Sequence, residues 1–229
     1  MKVSVWRGRA EGALQEFEVP RHPSQTVLDV VTHIQRRLDP TLAYRYACRV
    51  GMCGSCAMTV NGAPRWTCRT HVDKVARKDE LTIGPLRNLP VIRDLVADMR
   101  TFFDKWERAK GHFESSLTKH DDFARIQPDS QQRKSVDAGI ECIGCGVCYA
   151  ACDVVSWNPD YLGPAALNRA WTLVLDKRDT QNERLQAVAG DAGCHACHTH
   201  VSCTERCPKH ISPTAAIAGL KRALAKAVL

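Results

Sequence analysis

Residues 44–68 read YRYACRVGMCGSCAMTVNGAPRWTC. Four cysteines fall in this stretch, with Cys48, Cys53 and Cys56 spaced Cys-x4-Cys-x2-Cys and Cys68 following after eleven residues. Thiols at that spacing converge only if the loop wraps tightly, with its backbone N–H groups turned inward toward whatever the sulfurs hold. Gly51 and Gly54 permit such a path, because glycine adopts left-handed backbone angles without steric cost. Ala57 to Val60 then form a short strand that stops on Asn61–Gly62, a strong two-residue hairpin signal.

Upstream, Val3 and Val5 alternate with polar neighbours, as do Phe17 and Val19, which predicts two strands joined near Glu11–Gly12. Thr26 followed by Asp29 is a capping-box-like helix start, and Val27, Val30, Val31, Ile34 and Leu38 recur at helical spacing until Pro40. Leu81 to Ile83 supplies a further strand. Strand–strand–helix–strand order with a cysteine loop between helix and hairpin predicts a β-grasp ferredoxin domain, and the cysteine spacing is the plant-type [2Fe–2S] pattern. A four-cysteine zinc site is the alternative. Zinc knuckles usually come as two close pairs, and here only Cys53–Cys56 is one.

Downstream, Ile92, Leu95, Val96, Met99, Phe102, Phe103 and Trp106 keep one apolar stripe at helical spacing, which predicts a continuous interdomain helix. Residues 107–136 are polar and mixed in sign and are expected to form a surface connection. Beyond it, Gly163–Pro164 opens a helix carrying Leu167, Trp171 and Val174. Ser212 is placed to cap a last helix with Pro213 at its first position and Ala216, Ile217, Leu220, Ala223 and Leu224 on its buried face. The expected fold class is α+β. Residues 1–106 form the N-terminal plant-type ferredoxin domain with its interdomain helix, 107–136 the connection, and 137–229 an all-α, bacterial-ferredoxin-like domain.

Cys142-x2-Cys145-x2-Cys148-x3-Cys152 is the bacterial ferredoxin run, in which three thiolates wrap one cubane and the fourth reaches a different cluster from the start of a helix. Cys197-x5-Cys203-x3-Cys207-Pro208 repeats that run with His200 at the second cysteine position. Cross-ligation assigns Cys142, Cys145, Cys148 and Cys207 to a [4Fe–4S] cluster. It leaves Cys152, Cys197 and Cys203 for a [3Fe–4S] cluster. His200 is a candidate additional ligand, since imidazole binds iron in Rieske centres, so a second [4Fe–4S] cluster is the alternative there. Cys194 has no slot and is expected to be a buried, unligated thiol. Asp153 follows Cys152 where ferredoxins usually carry proline.

Composition excludes several other classes. Hydrophobic residues make up 44%, charged residues 25% and aromatics 6%, with twelve cysteines and a formal net charge of +7 spread along the 229 residues. No concentrated basic stripe predicts a nucleic-acid partner. No apolar run approaches the length of a membrane span. The N-terminal MKVSVWRGRAEG lacks a signal-peptide core. A reducing compartment is therefore expected, where twelve cysteines suit metal ligation better than disulfides. No nucleophile or acid–base constellation is visible, which suits electron conduction rather than bond-making.

These motifs together resemble the iron–sulfur subunit of the succinate dehydrogenase and fumarate reductase family, nearly end to end. The segment at 44–68 is similar to the family's first-cluster region and LPVIRDLVADM to its interdomain helix. ECIGCGVCYAAC, WNPDYLGPAAL and ERCPKHISPTAAI are similar to its later regions. The resemblance implies a relay through [2Fe–2S], [4Fe–4S] and [3Fe–4S], from an FAD-containing flavoprotein subunit that handles succinate or fumarate to a quinone held by membrane-anchor subunits. It implies a peripheral site on the cytoplasmic face of the plasma membrane, roles in the tricarboxylic acid cycle or anaerobic respiration, and quinone contacts at the matching Trp157, His198 and Lys221. Each of those three also has a plainer reading, as core aromatic, sulfide donor and solvated lysine. A rival reading keeps the relay but serves another flavin-dependent dehydrogenase or a soluble acceptor.

Overall fold

The computed structural model describes residues 1–124 and 126–228. The chain falls into two compact units, Met1–Thr101 with Ile143–Ala151, and Phe102–Cys142 with Cys152–Leu229.

The first unit is built on a five-stranded sheet whose buried face is covered by one helix. Strands β1 (Lys2–Gly8) and β2 (Gly12–Glu18) form the predicted hairpin. β3 (Ala57–Val60), β4 (Ala63–Trp66) and β5 (Glu80–Gly84) complete the sheet in the order β2-β1-β5-β3-β4. β5 runs parallel to β1, setting Leu81 beside Val3 and Ile83 beside Val5. Period-2 alternation then puts all four on the face that helix α1 (Val27–His33) covers, and Val3, Val5, Leu81, Ile83, Val27, Val30, Val31 and Ile34 form one buried core. The capping box is present, with Asp29 N–H donating to Thr26 Oγ1 at 3.2 Å and Thr26 N–H to Asp29 Oδ2 at 3.0 Å. Residues Ile34–Leu38 continue the helix as a wider π turn. Asn61 and Gly62 are both left-handed, φ +48° and +78°, as a two-residue hairpin between β3 and β4 needs.

After the π turn, the Asp39 carboxylate accepts from Thr41 N–H (2.9 Å), from the Thr41 hydroxyl (2.6 Å) and from the Arg7 guanidinium. These bonds, Thr41's first, hold its pKa down at about 2. A depressed carboxylate stabilises the fold above its unfolded pKa and loses that contribution as pH falls toward the folded value. Asp39→Asn is expected to lower the urea midpoint at neutral pH, with the gap to the parent chain narrowing below about pH 4.

The interdomain helix expected over residues 92–106 is shorter than its apolar stripe. Val91–Arg93 (β6) and Val96–Ala97 (β7) form a small antiparallel ribbon, and helix α2 spans only Arg100–Arg108. Asp94 breaks the helix. It sits at φ +50°, and its carboxylate accepts from Gly8 N–H (3.0 Å) and Ala43 N–H (2.9 Å) while pairing with Arg7 Nε (3.1 Å). Those tertiary bonds outweigh periodicity, and the stripe is no single face: Leu95 and Phe102 are buried, Ile92 and Phe103 exposed. Asp98 Oδ1 then accepts the Arg100 N–H at 3.0 Å and starts α2.

The second unit is helical, as expected. The stretch read as connection is only partly so, because α3 (Gln131–Ile140) begins inside it, with Ser130 Oγ accepting the Arg133 N–H at 3.1 Å. This helix lacks an apolar stripe and hid in the sequence for that reason. It packs on α6 (Pro164–Val174), which follows α4 (Val147–Ala150, in the first unit) and α5 (Asp153–Trp157) along the chain. Short α7 (Ser202–Glu205) precedes α8 (Pro213–Val228), where Ser212 Oγ accepts the Ala215 N–H at 3.2 Å as its predicted cap. α8 crosses α6 closely: a Cβ on Gly219 would lie 2.4 Å from the Trp171 ring.

The connection itself is anchored by a buried ion pair. Arg184 Nη1 meets Asp179 Oδ1 at 2.7 Å, both side chains almost fully buried, and its other nitrogens donate to Lys110 O (2.9 Å) and His112 O (2.8 Å). Arg184→Ala strands a buried carboxylate and two carbonyls, and is expected to cost about 3–5 kcal/mol in chemical unfolding.

Candidate functional site: three groups of cysteine sulfurs

At the first group the wrapped loop is realised. Arg49, Gly51 and Gly54 all take left-handed angles, φ +58°, +75° and +72°. The turn points three backbone N–H groups at one sulfur: Val50 (3.5 Å), Met52 (3.3 Å) and Cys53 (3.3 Å) donate to Cys48 Sγ. These donors, Met52 first, lower the Cys48 thiol to about 6, an arrangement made for a sulfur bearing negative charge. Cys53 is exposed at the loop surface, with its Sγ 2.9 Å from Ser55 Oγ. Cys56 and Cys68 lie underneath, where burial, then the shared hydrogen bond with Cys56, pushes Cys68 up to about 12. A bound iron's charge deprotonates such thiols outright. The loop tip leaves Val50 and Met52 exposed at 58% and 61%.

The same unit holds part of the second group. Gly144 and Gly146, φ +61° and +76°, flank Cys145, and Cys148 lies in α4. Gly54 of the first loop packs directly on this segment: a Cβ there would stand 2.7 Å from Cys145 Cβ and 3.1 Å from Ile143 O. No side chain fits between the first cysteine loop and Cys145. Cys142 and Cys207 belong to the other unit.

The third group is a cavity within the second unit, lined by Cys152, Cys197 and Cys203 together with His198, His200 and Tyr161. Cys207 is not among its lining residues. Cys152 caps the N-terminus of α5, where Val155 and Val154 N–H groups turn toward its sulfur while burial drives its pKa up to about 11. Burial likewise raises Cys203, whose Sγ lies 3.5 Å from Thr214 Oγ1. Among the described residues no three His, Cys, Asp or Glu side chains close on a point for a single metal ion. The thiols line a space instead, and a cubane core, whose sulfurs spread around an inorganic body, is the group such a lining fits.

Trp157, at the end of α5, is 57% exposed and forms a ring cluster with His198 (6.4 Å between centroids) and His200 (5.8 Å). The expected quinone residues Trp157 and His198 therefore stand together. Lys221 does not join the rings; its Nζ donates to Cys197 O at 2.9 Å, holding the cysteine loop to α8. Cys194 is fully buried, its N–H donating to Val188 O at 2.7 Å. Tyr161 escaped the sequence reading. It is 1% exposed, and its ring hydroxyl, raised first by burial and then by the Cys197, Cys152 and Cys203 sulfurs, donates to Cys197. Nothing in its spacing ties it to a cysteine motif; only folding brings it there.

Comparison with known proteins agrees with this layout. Residues 2–104 match the model of a 2Fe-2S iron–sulfur cluster binding domain, and residues 141–212 that of a 4Fe-4S dicluster domain. The chain is 37% identical over 202 residues to a fumarate reductase iron–sulfur subunit of Escherichia coli O6:H1, covering 88% of this chain and 82% of that one. It is 36% identical over 197 residues to a succinate dehydrogenase iron–sulfur subunit of Paracoccus denitrificans, covering 85% and 74%. A chain of the Mycobacterium smegmatis Sdh1 complex in the apo form superposes with TM-score 0.89 at 30% identity, over 98% of this chain and 95% of that one. Among the described residues no helix is long and apolar enough to cross a membrane. With two cluster-binding modules in this order and relatives of both names along most of its length, the chain belongs to the iron–sulfur, electron-transferring subunits of the succinate dehydrogenase and fumarate reductase family.

Proposed function

We propose that eleven thiolates carry a three-step relay: Cys48, Cys53, Cys56 and Cys68 on [2Fe–2S], Cys142, Cys145, Cys148 and Cys207 on [4Fe–4S], and Cys152, Cys197 and Cys203 on [3Fe–4S]. The observation that carries the reading is the third cavity, which gathers one cysteine from the first bacterial run and two from the second and omits Cys207. That is the exchange cross-ligation requires. The clusters supply one-electron redox chemistry; the chain binds them, turns N–H donors onto their sulfurs and excludes water from Cys56, Cys68 and Cys203.

Electrons enter at the first cluster from an FAD-containing flavoprotein subunit and leave at the third for a quinone in membrane-anchor subunits, on the cytoplasmic face of the plasma membrane. Val50 and Met52, exposed beside the first site, are the apolar side chains such docking would cover. His198 lines the third site and Trp157 stands beside it, 6.4 Å between ring centroids, so the pair supplies the imidazole and indole that a quinone contact needs. Lys221 has two further donors beyond its bond to Cys197 O.

Metal analysis and EPR during stepwise reduction of the purified complex test the assignment. About nine iron atoms per chain are expected, with a three-iron signal in the oxidised complex that bleaches on reduction and two further signals, from [2Fe–2S] and [4Fe–4S], that grow in as reduction proceeds. Mostly zinc, or sulfurs bonded to one another, would overturn it.

A further inference from the structure

The loops Cys142–Cys148 and Cys197–Cys203 have the same length and repeat one backbone conformation. Gly144 and Gly146 are left-handed on either side of Cys145; Thr199 and Val201, φ +60° and +65°, are left-handed on either side of His200. Glycine takes those angles freely. For a β-branched residue they are a true outlier, costing about 1–2 kcal/mol at each position. The second loop bears that strain and so holds His200 at the backbone position from which Cys145 acts in the first.

His200 is one of the residues lining the cavity of Cys152, Cys197 and Cys203. Its Nδ1 lies 3.7 Å from Asp153 Oδ2, an ion-pair separation rather than a hydrogen bond. Metal-binding histidines usually turn their far nitrogen to a carboxylate, and Asp153 stands near enough to take that place. Asp153 stands where ferredoxin runs usually carry proline, and so supplies a carboxylate that proline lacks.

We propose that His200 completes a redox-gated cation site at the open corner of the third cluster, taking up ferrous iron when that cluster is reduced. The inference rests on the three-thiolate reading of this cavity. The step balances. One electron from the relay converts [3Fe–4S]+ to [3Fe–4S]0; three core sulfides and the His200 Nε2 lone pair then bind Fe2+, giving [4Fe–4S]2+. Removal of one electron by an oxidant such as ferricyanide gives [4Fe–4S]3+, which returns to [3Fe–4S]+ and Fe2+. Imidazole with sulfide is a donor set suited to iron, and to zinc as a competitor.

The test uses the purified complex under anaerobic conditions. It is reduced with dithionite, given ferrous iron, desalted and reoxidised mildly to the [4Fe–4S]2+ level. In the parent protein the oxidised three-iron EPR signal is expected to disappear and the iron content to rise by about one atom per chain. His200→Ala should recover the three-iron signal undiminished, and His200→Cys should capture the iron at least as completely as the parent. A pulsed-EPR nitrogen coupling from 15N-histidine on the dithionite-reduced, iron-loaded parent decides the ligand without any variant. Full recovery of the three-iron signal in the parent, equal uptake by His200→Ala, or no such nitrogen coupling would each overturn the proposal while leaving the relay intact. Absence of any third-cluster signal in the untreated parent would instead remove the three-thiolate reading beneath it.

Discussion

Cys203→Ser should remove the third cluster and spare the first. The cavity sulfurs are few, and Cys203 is one of three thiols lining it, buried and supported by Thr214. A serine hydroxyl lacks the soft thiolate that iron–sulfur cores select. Iron content is expected to fall by about three atoms per chain. Succinate-driven quinone reduction should drop by more than the ~100-fold that losing a mere supporting hydrogen bond can cost at a metal site. The [2Fe–2S] signal and its reduction by succinate should persist, because the four cysteines of that site lie in the other compact unit. Loss of the [2Fe–2S] reduction with the three-iron signal intact would reverse the proposed order of the relay.

Gly54→Ala should damage transfer between the first two clusters and loosen the first unit. Gly54 sits at φ +72°, where a Cβ costs about 1–2 kcal/mol. That Cβ would also lie 2.7 Å from Cys145 Cβ and 2.8 Å from Cys145 Cα, inside any real contact, and overpacking adds about 1–3 kcal/mol. The loop and the Cys145 segment must move apart, and electron tunnelling falls exponentially with such separation. Stopped-flow reduction should show the [2Fe–2S] signal forming at the parent rate and the [4Fe–4S] signal lagging behind it. Gly62→Ala is the control. It is also left-handed, φ +78°, but a Cβ there meets nothing within 4 Å, so it carries the strain without the clash. Equal lag in both variants would show that backbone strain alone, not the close approach, slows the transfer.

Much of the first unit was legible because its signals are local. The alternation of Val3 and Val5, the Thr26–Asp29 box and the Asn61–Gly62 turn each act within a few residues, and each appears where its chemistry placed it. The stripe from Ile92 to Trp106 misled because its periodicity is local and its interruption is not. Asp94 is drawn into a left-handed turn by Gly8 and Ala43, far away in sequence. Helix α3 was invisible for the opposite reason, having a good cap and almost no apolar face. Tyr161 beside Cys197 and Gly54 against Cys145 carry no spacing signature at all.

By itself the sequence determined the number of cysteine groups, their spacing and the redox chemistry they suit, because covalent spacing limits how sulfurs can wrap a core. Tertiary structure alone decided which sulfurs share a cavity, that Lys221 is bonded to the Cys197 carbonyl, and that His200 pairs with Asp153 beside three thiols. Those are meetings between segments distant in the chain, and they exist only once burial of the helix faces around α6 and α8 has brought the segments together.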